Sequence, residues 1–118
     1  MMTVDVDGIA AARQTFRRLP PGTLDRVEVA TRKAGLDVVR NARQRAPYDT
    51  GALRSSITSQ VTRTRGAVEA RVGPTVHYAR FLEEGTSRIA PRPYMRPAFD
   101  SVRRGYVDAV RQAVREAV

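Results

Sequence analysis

The hydrophobic residues of this chain change their spacing at one proline, and that change limits what the chain can fold into. Before Pro47, the residues Leu24, Val27, Thr31, Ala34, Val38 and Ala42 recur three and four positions apart. That is the stripe of a single helix face. Beyond Pro47, from Leu53, the spacing becomes two. Ile57, Ser59 and Val61 alternate with polar residues, and Val68, Ala70 and Val72 do the same, the pattern of half-buried strands. A helix from Leu24 to Arg45 is therefore expected to lead into a β-hairpin. Pro47 stops the helix because a residue before proline is pushed out of the α region. Arg63-Thr64-Arg65-Gly66 is the turn candidate. Setting Ile57 opposite Val72 and Val61 opposite Val68 places one apolar row on one face.

The rest of the chain fills in around this pair. Thr3 to Val6 alternates and suits an edge strand. Ile9 to Leu19 suits a short helix, with Ile9, Ala12, Phe16 and Leu19 on one side. Pro20-Pro21-Gly22 breaks it, and Thr23 is a candidate N-cap for the long helix. Gly73-Pro74 closes the hairpin. Tyr78 to Glu84 suits another short helix, with Gly85 as its stop. Thr86 to Pro97 holds three prolines and is expected to run over the surface. Pro97 fits the first turn of a last helix. Phe99, Val102, Tyr106, Ala109, Val110, Ala113 and Ala117 form its apolar stripe, widened by Val107, Val114 and Val118. Arg104, Asp108, Arg111 and Arg115 line the other side. The expected fold class is α+β: a small antiparallel sheet built around the hairpin, packed by a long central helix and a C-terminal helix. At 118 residues, one domain over 1–118 is expected. Val29 and Leu36 lie on the far side of the long helix. Chance exposure is the plainer account of them, and cover by another subunit is the alternative.

Charge is the next constraint. The chain carries a formal net charge of +9, and Lys33 is the single lysine among 21 basic residues. Arginine's planar head suits bidentate contact with carboxylates and phosphates. A solvated arginine-rich surface explains the count, and so does an acidic partner, either a protein face or nucleic acid. There is no cysteine, which excludes disulfides and thiolate metal sites. The start, MMTVDVDGIAA, carries early acids and no long apolar run, unlike a signal peptide. No stretch has the roughly 20 apolar residues of a membrane span, so a soluble protein that stays in the cell that makes it is expected, with no membrane partner.

Candidate chemistry is thin. His77 is the only histidine, and Glu83-Glu84 does not complete a metal site around it. Adjacent helical residues point about 100° apart and do not converge on one ion. A Ser55 or Ser56 triple with His77 and an aspartate lacks a nucleophile elbow or oxyanion signature. Glu83 and Glu84 as paired acid–base groups are equally unsupported. Pairing with arginines, or solvation at a helix end, is the expected role of those acids. There is no phosphate-cradling glycine loop. The arginines are spread over every segment, without the dense basic face of a major-groove reader or an aromatic-on-strand pattern for base stacking. No catalytic, metal-binding or cofactor-binding residue is assigned, and no cofactor is expected.

Two motif blocks remain. The first is APYDTGALRSSI, Ala46 to Ile57. The second is HYARFLEEGTSRIAPRPYMRPAF, His77 to Phe99. In order, they resemble the signature of a tailed-bacteriophage family of head–tail joining proteins, the neck or tail-completion proteins. The shared pattern is a helix ending in Ala46-Pro47, then Asp49-Thr50-Gly51-Ala52-Leu53-Arg54-Ser55-Ser56 as a turn into a hairpin. Tyr78-Ala79 through Glu84-Gly85-Thr86 follows, then the proline-rich Pro91 to Ala98 and a final helix. Met95 stands where leucine or isoleucine is common. The resemblance runs from about Leu24 to the end of the chain.

The residues make physical sense on that reading. Asp49 and Thr50 can hold backbone amides through the turn, and Gly51 can take a conformation other residues resist. Pro47, Leu53, Arg54, Tyr78, Glu84, Gly85 and Thr86 complete the turn motifs. The candidate partner contact is the loop from Arg88 to Arg96 (Arg88, Arg92, Pro93, Tyr94, Arg96) with Pro97, where proline lowers the ordering cost of binding. Its arginines would meet Glu83, Glu84 or Asp100 of the next copy. The resemblance implies a structural virion protein and not an enzyme. It implies a ring of copies, six by phage tail symmetry, that joins or caps the tail and lets DNA pass. Implied partners are further copies, the tail tube protein and head-closure or connector proteins, with non-specific DNA contact in the lumen. The tail-terminator role in the same junction is an alternative. A basic nucleic-acid-binding protein of another system is the rival, and a small hydrolase using His77 a more distant one.

Overall fold

The computed structural model describes residues 2–4, 10–15, 22–46, 51–64, 66–76, 79–88, 90–91 and 93–116. Eight elements follow in order: β1 (Met2–Val4), β2 (Ala10–Thr15), α1 (Thr23–Arg45), α2 (Ala52–Ser56), β3 (Thr58–Arg63), β4 (Ala67–Gly73), α3 (Ala79–Glu84) and α4 (Met95–Glu116). The strands form one antiparallel sheet in the order β1-β2-β4-β3. The α+β class stands, with β1 and β3 as the sheet's two edges.

Helix α1 forms where the stripe predicts it. Val27, Thr31, Val38 and Ala42 are buried, and Leu24 and Ala34 are partly so. Its end follows the proline argument. Ala46 leaves the helix in an extended conformation (φ −64°, ψ 139°) while its N–H still donates to the Ala42 carbonyl at 2.8 Å. At the other end Gly22, not Thr23, is the flanking residue. The Gly22 carbonyl accepts the Arg26 N–H at 3.2 Å, and the Thr23 hydroxyl is buried with no hydrogen-bond partner among the described residues. Val29 and Leu36 are exposed, 69% and 61%.

Three expectations about the sheet side need correction. The segment expected as a helix over Ile9 to Leu19 contributes a strand over Ala10–Thr15, and its flanks lie outside the described residues. The register places Ala10, Ala12 and Gln14 across from Val72, Ala70 and Val68. Pairing on both edges, with β1 and β4, outweighs the helix preference of an alanine-rich run, because a propensity of tenths of a kcal/mol per residue yields to a full ladder. Second, the run from Leu53 begins as a helical turn, α2, and becomes a strand only at Thr58. Third, the hairpin register is two residues off the expected one. Ser59 faces Val72, Val61 faces Ala70 and Arg63 faces Val68. The Thr64 N–H donates to the Ala67 carbonyl at 2.9 Å, so the turn lies one residue later on each side. A slip of two leaves every side chain on its face, which is why the alternation could not detect it.

The helices cover one face of the sheet. Val68, Ala70 and Val72 of β4 are buried, with Ser59 and Val61 of β3 half-buried on that face. Thr58, Gln60, Thr62 and Arg71 are exposed on the other. Helix α4 lies antiparallel to α1, since Tyr106 meets Thr31 while Glu116 meets Arg26. Phe99, Tyr106, Val110 and Ala113 are buried as the stripe predicts, and Ala109 is exposed instead. The Thr31 hydroxyl donates to the Val27 carbonyl at 2.7 Å. Its proton is then committed, so the Tyr106 hydroxyl donates to Thr31 Oγ1 at 2.9 Å. One buried polar bond thus sets the axial register of the two helices.

The hairpin tip is tied to α1 by charge. The Arg63 Nη1 donates to Glu28 Oε2 at 3.1 Å and also to Asp25 Oδ1. The hydrogen bond from Arg63, with a second from Arg32, holds the Glu28 carboxyl below its ordinary value of 4.5. A lowered carboxylate stabilises the fold above its ordinary pKa and loses that effect as pH falls through the folded value. Arg63→Ala is therefore expected to lower the melting temperature slightly at neutral pH. The gap from the parent should close as pH drops below 4.5. Thermal melts across that range check it; a gap that stays constant would show that the tie is not electrostatic.

Candidate functional site

The two motif blocks come together at one end of the molecule, where α1 ends, α2 turns into the hairpin and α3 runs into α4. Pro47, Asp49, Thr50, Tyr78 and Arg92 lie outside the described residues. What remains of the blocks divides into buried supports and an exposed loop.

The first block is a support. Leu53 and Ile57 are buried in the core with Val38, Ala42 and Ala46. Gly51 takes φ +80°, and Gly85 of the second block takes φ +77°. Both lie in the left-handed region that a Cβ resists, as the turn reading requires. Arg54, from the motif, reaches back so that its Nη2 donates to the Ala46 carbonyl at 3.5 Å. Arg43 does more, and the sequence reading passed over it. Its Nε donates to the Arg54 carbonyl at 3.1 Å and its Nη2 to the Ile57 carbonyl at 3.0 Å. One guanidinium in the last turns of α1 thus satisfies carbonyls at the end of α2 and the start of β3. A basic residue near a helix C-terminus is the only sequence cue for it, and that cue is common to most helices.

The second block turns on Glu83, and here the expectation is overturned. Glu83 pairs with no arginine among the described residues, and it does not sit in solvent. It is buried, and its carboxylate faces the first turn of α4 across eleven residues of chain. Oε1 accepts the N–H of Met95 at 2.9 Å and of Tyr94 at 3.3 Å. Oε2 accepts the N–H of Arg96 at 3.4 Å. The first amides of a helix have no partner within it. Pro97 has none to offer, and the Ala98 N–H already reaches the Tyr94 carbonyl at 3.3 Å. One side chain therefore satisfies the start of α4 and places negative charge at its positive end. No local capping motif marks this, because the cap comes from another helix.

The loop between these ends is only partly a surface feature. Tyr94, expected as an exposed contact, is fully buried, as is Met95. The tyrosine ring fills the core beside Ala79 and Ala98 because burying an aromatic removes more apolar surface from water than any neighbour could. Arg88, Ala90, Pro91, Pro93 and Arg96 are exposed, and Pro97 is half-buried. Glu84 and Thr86 are exposed too, and the Thr86 hydroxyl accepts the Arg88 N–H at 3.2 Å. Of the residues expected to meet a partner, Arg88, Pro93 and Arg96 are thus exposed, on a loop whose far end is pinned by Glu83.

Among the described residues no group of three or more His, Asp or Glu gathers to hold a metal ion. The enclosed gap between α1, β4 and α4, lined by Thr31, Val38, Val72, Phe99 and Tyr106, has a volume of about 20 Å³. That is room for no more than a water. Among the described residues no helix is long and apolar enough to cross a membrane.

Comparison with known families supplies the identity. A family model described as "Bacteriophage HK97-gp10, putative tail-component" matches residues 10–85, well over half the chain. The chain belongs to the HK97-gp10-like family. The matched span takes in β2, α1, the whole first block, the hairpin and the second block as far as Gly85. The proline-rich loop and α4 lie beyond it. The curated proteins and the solved structures yield no match. A phage tail component is a structural part of the virion that works against other virion proteins, and the family places this chain in that class.

The Glu83 brace carries a direct test. Glu83→Ala leaves the first amides of α4 buried without an acceptor, which is expected to cost about 2–3 kcal/mol of unfolding free energy. Glu83→Gln, which keeps one acceptor oxygen, should lose less. Urea titrations of the two variants measure both. Equal stability of parent and Glu83→Ala would show that the cap carries no weight.

Proposed function

We propose that copies of this chain form a ring, six in number, at the junction between a DNA-filled head and the tail tube. The ring joins or caps the tail and leaves an axial passage for DNA. Its neighbours are the tail tube protein on one side and head-closure or connector proteins on the other. The work is done by shape and surface fit, with no bond made or broken. The chain assembles in the host cytoplasm and ends in the virion.

The observation that carries this reading is the pinned loop. Arg88 and Arg96 are exposed and form no ion pair among the described residues. They stand beside Pro93 on a segment that the Glu83 cap holds to α4. A preorganised, arginine-bearing edge loses little freedom on binding and offers charge that its own chain does not neutralise. The acids it can meet on the next copy are Glu84 and Asp100, both exposed. Glu83 is removed from that set because both its oxygens serve α4. On this reading the arginines of one copy meet the acids of the next head-to-tail, an arrangement that gives a ring when its rotation closes.

Replacing Arg88 and Arg96 together by alanine is the test. Both are exposed, so the far-ultraviolet spectrum and melting temperature should match the parent. Infection with the double variant should then accumulate unjoined heads and tails. Native mass measurement of the parent with and without its tail tube partner should show the ring, and the double variant should lose it. A normal yield of complete particles would remove the loop from the contact.

A further inference from the structure

The geometry points to a second functional surface, a row of arginines on the outer face of α4 that holds the phosphate backbone of double-stranded nucleic acid. The ion pairs of the fold are what single it out. On α1 Arg32 meets Glu28, Lys33 and Arg40 meet Asp37, and Arg26 meets Glu116 of α4, while Arg45 is exposed and forms no ion pair among the described residues. On the hairpin Arg63 meets Asp25 and Glu28, and Arg71 meets Glu69. Arg43 and Arg54 are turned onto backbone carbonyls. The other exposed arginines left without an ion pair among the described residues are Arg45 on α1, Arg88 and Arg96 at the loop, and Arg103, Arg104, Arg111 and Arg115 farther along α4. There Arg104, Arg111 and Arg115 are exposed and form no ion pair or hydrogen bond with any described residue.

These three positions, seven and four residues apart, fall on one side of the helix. They span roughly 16 Å of its axis at 1.5 Å per residue. One strand of a duplex presents about five phosphates over that length. Arg115 also complements the carbonyl end of α4, but Arg104 and Arg111 lie beyond the reach of that dipole, so helix stability does not account for them. The face is unlike the centre of a protein interface, which is built on aromatic and aliphatic anchors. Its neighbours are the exposed Asp100, Ser101, Asp108 and Gln112, with the half-buried Val107 at its edge. Regular charge without an apolar anchor is what a phosphate backbone requires, and what a reader of base sequence lacks. Asp100 and Asp108 lie along the row with no ion pair among the described residues, and they weaken the local field. The inference rests on the junction reading for where duplex would be met, although its test does not.

The purified full chain should bind two unrelated duplexes of equal length with equal affinity. That affinity should fall steeply with salt. Each arginine–phosphate contact contributes roughly 0.9 to the slope of log affinity against log salt. Replacing Arg104, Arg111 and Arg115 by alanine should flatten the slope by about 2.7. Raising salt from 50 to 200 mM should then weaken the parent roughly 40-fold more than the variant. Asp108→Asn should tighten binding at low salt. The control Arg32→Ala with Arg40→Ala alters cations already matched by carboxylates and should leave the slope nearly unchanged. An unchanged slope in the α4 variant would overturn the inference. So would an equal loss in the α1 control, or binding to polyglutamate but not to duplex, which would mark an acidic protein as the ligand. Loss of duplex binding with a ring still formed in the mass measurement would leave the junction reading standing; a bound duplex with no ring would do the reverse.

Discussion

The carboxylate of Glu83 is the constraint on which the distal end of this fold depends. A helix that begins inside a core must find partners for amides that its own geometry leaves open. Helix α4 begins with Tyr94 and Met95 fully buried, so water cannot supply them. Glu83 can, because α3 is short and ends in a glycine at φ +77° that turns the chain back beneath it. The same bond pattern fixes three things together. It starts α4, it holds the proline-rich loop in a closed arc, and it orients Arg96 outward one residue past the capped Met95. A loop that would otherwise be a flexible tether becomes a shaped edge.

The opposite side of that end is built on a related principle, with the signs exchanged. Where α1 stops, carbonyls rather than amides need partners, and arginines provide them. Arg43 and Arg54 hold the Ala46, Arg54 and Ile57 carbonyls, which sets how the long helix meets the hairpin. A protein with an excess of arginine thus spends some of it on its own backbone. Ion pairs on α1 and the hairpin engage part of the remainder, and the arginines those pairs leave over include the row on α4 and those of the loop. The functional readings of the loop and of the α4 row share this origin, since each concerns a cation that the fold leaves unmatched.

Packing between the helices explains why the arrangement is rigid enough to present such surfaces. Among the described residues the sheet is covered on one face, by α1 against Val68, Ala70 and Val72. Helix α4 closes over α1, and the Thr31–Tyr106 bond sits within that contact. A polar bond in an apolar layer has few substitutes, so it favours one axial register over neighbouring ones. The ends of both helices, where the motif blocks and the Arg26–Glu116 pair lie, follow from that choice.

Sequence alone determined the elements whose cause is local. The stripe from Leu24 to Ala42 and the proline after Ala46 specify α1. Alternation specifies β3 and β4, and Pro97 with the stripe from Phe99 specifies α4. The glycines at 51 and 85 specify turns, and the order of the two blocks pointed to the phage joining proteins. Tertiary structure decided whatever depends on a partner distant in sequence. Ala10–Thr15 is a strand because β4 has a free edge for it, which no helix propensity in the segment records. The hairpin register slipped by two because alternation is blind to even shifts. Tyr94 is interior, and Glu83 is a cap, because the space and the open amides that accept them belong to other elements. Which arginines remain free was likewise undecidable from the chain, since a charge is neutralised by whatever the fold brings within reach.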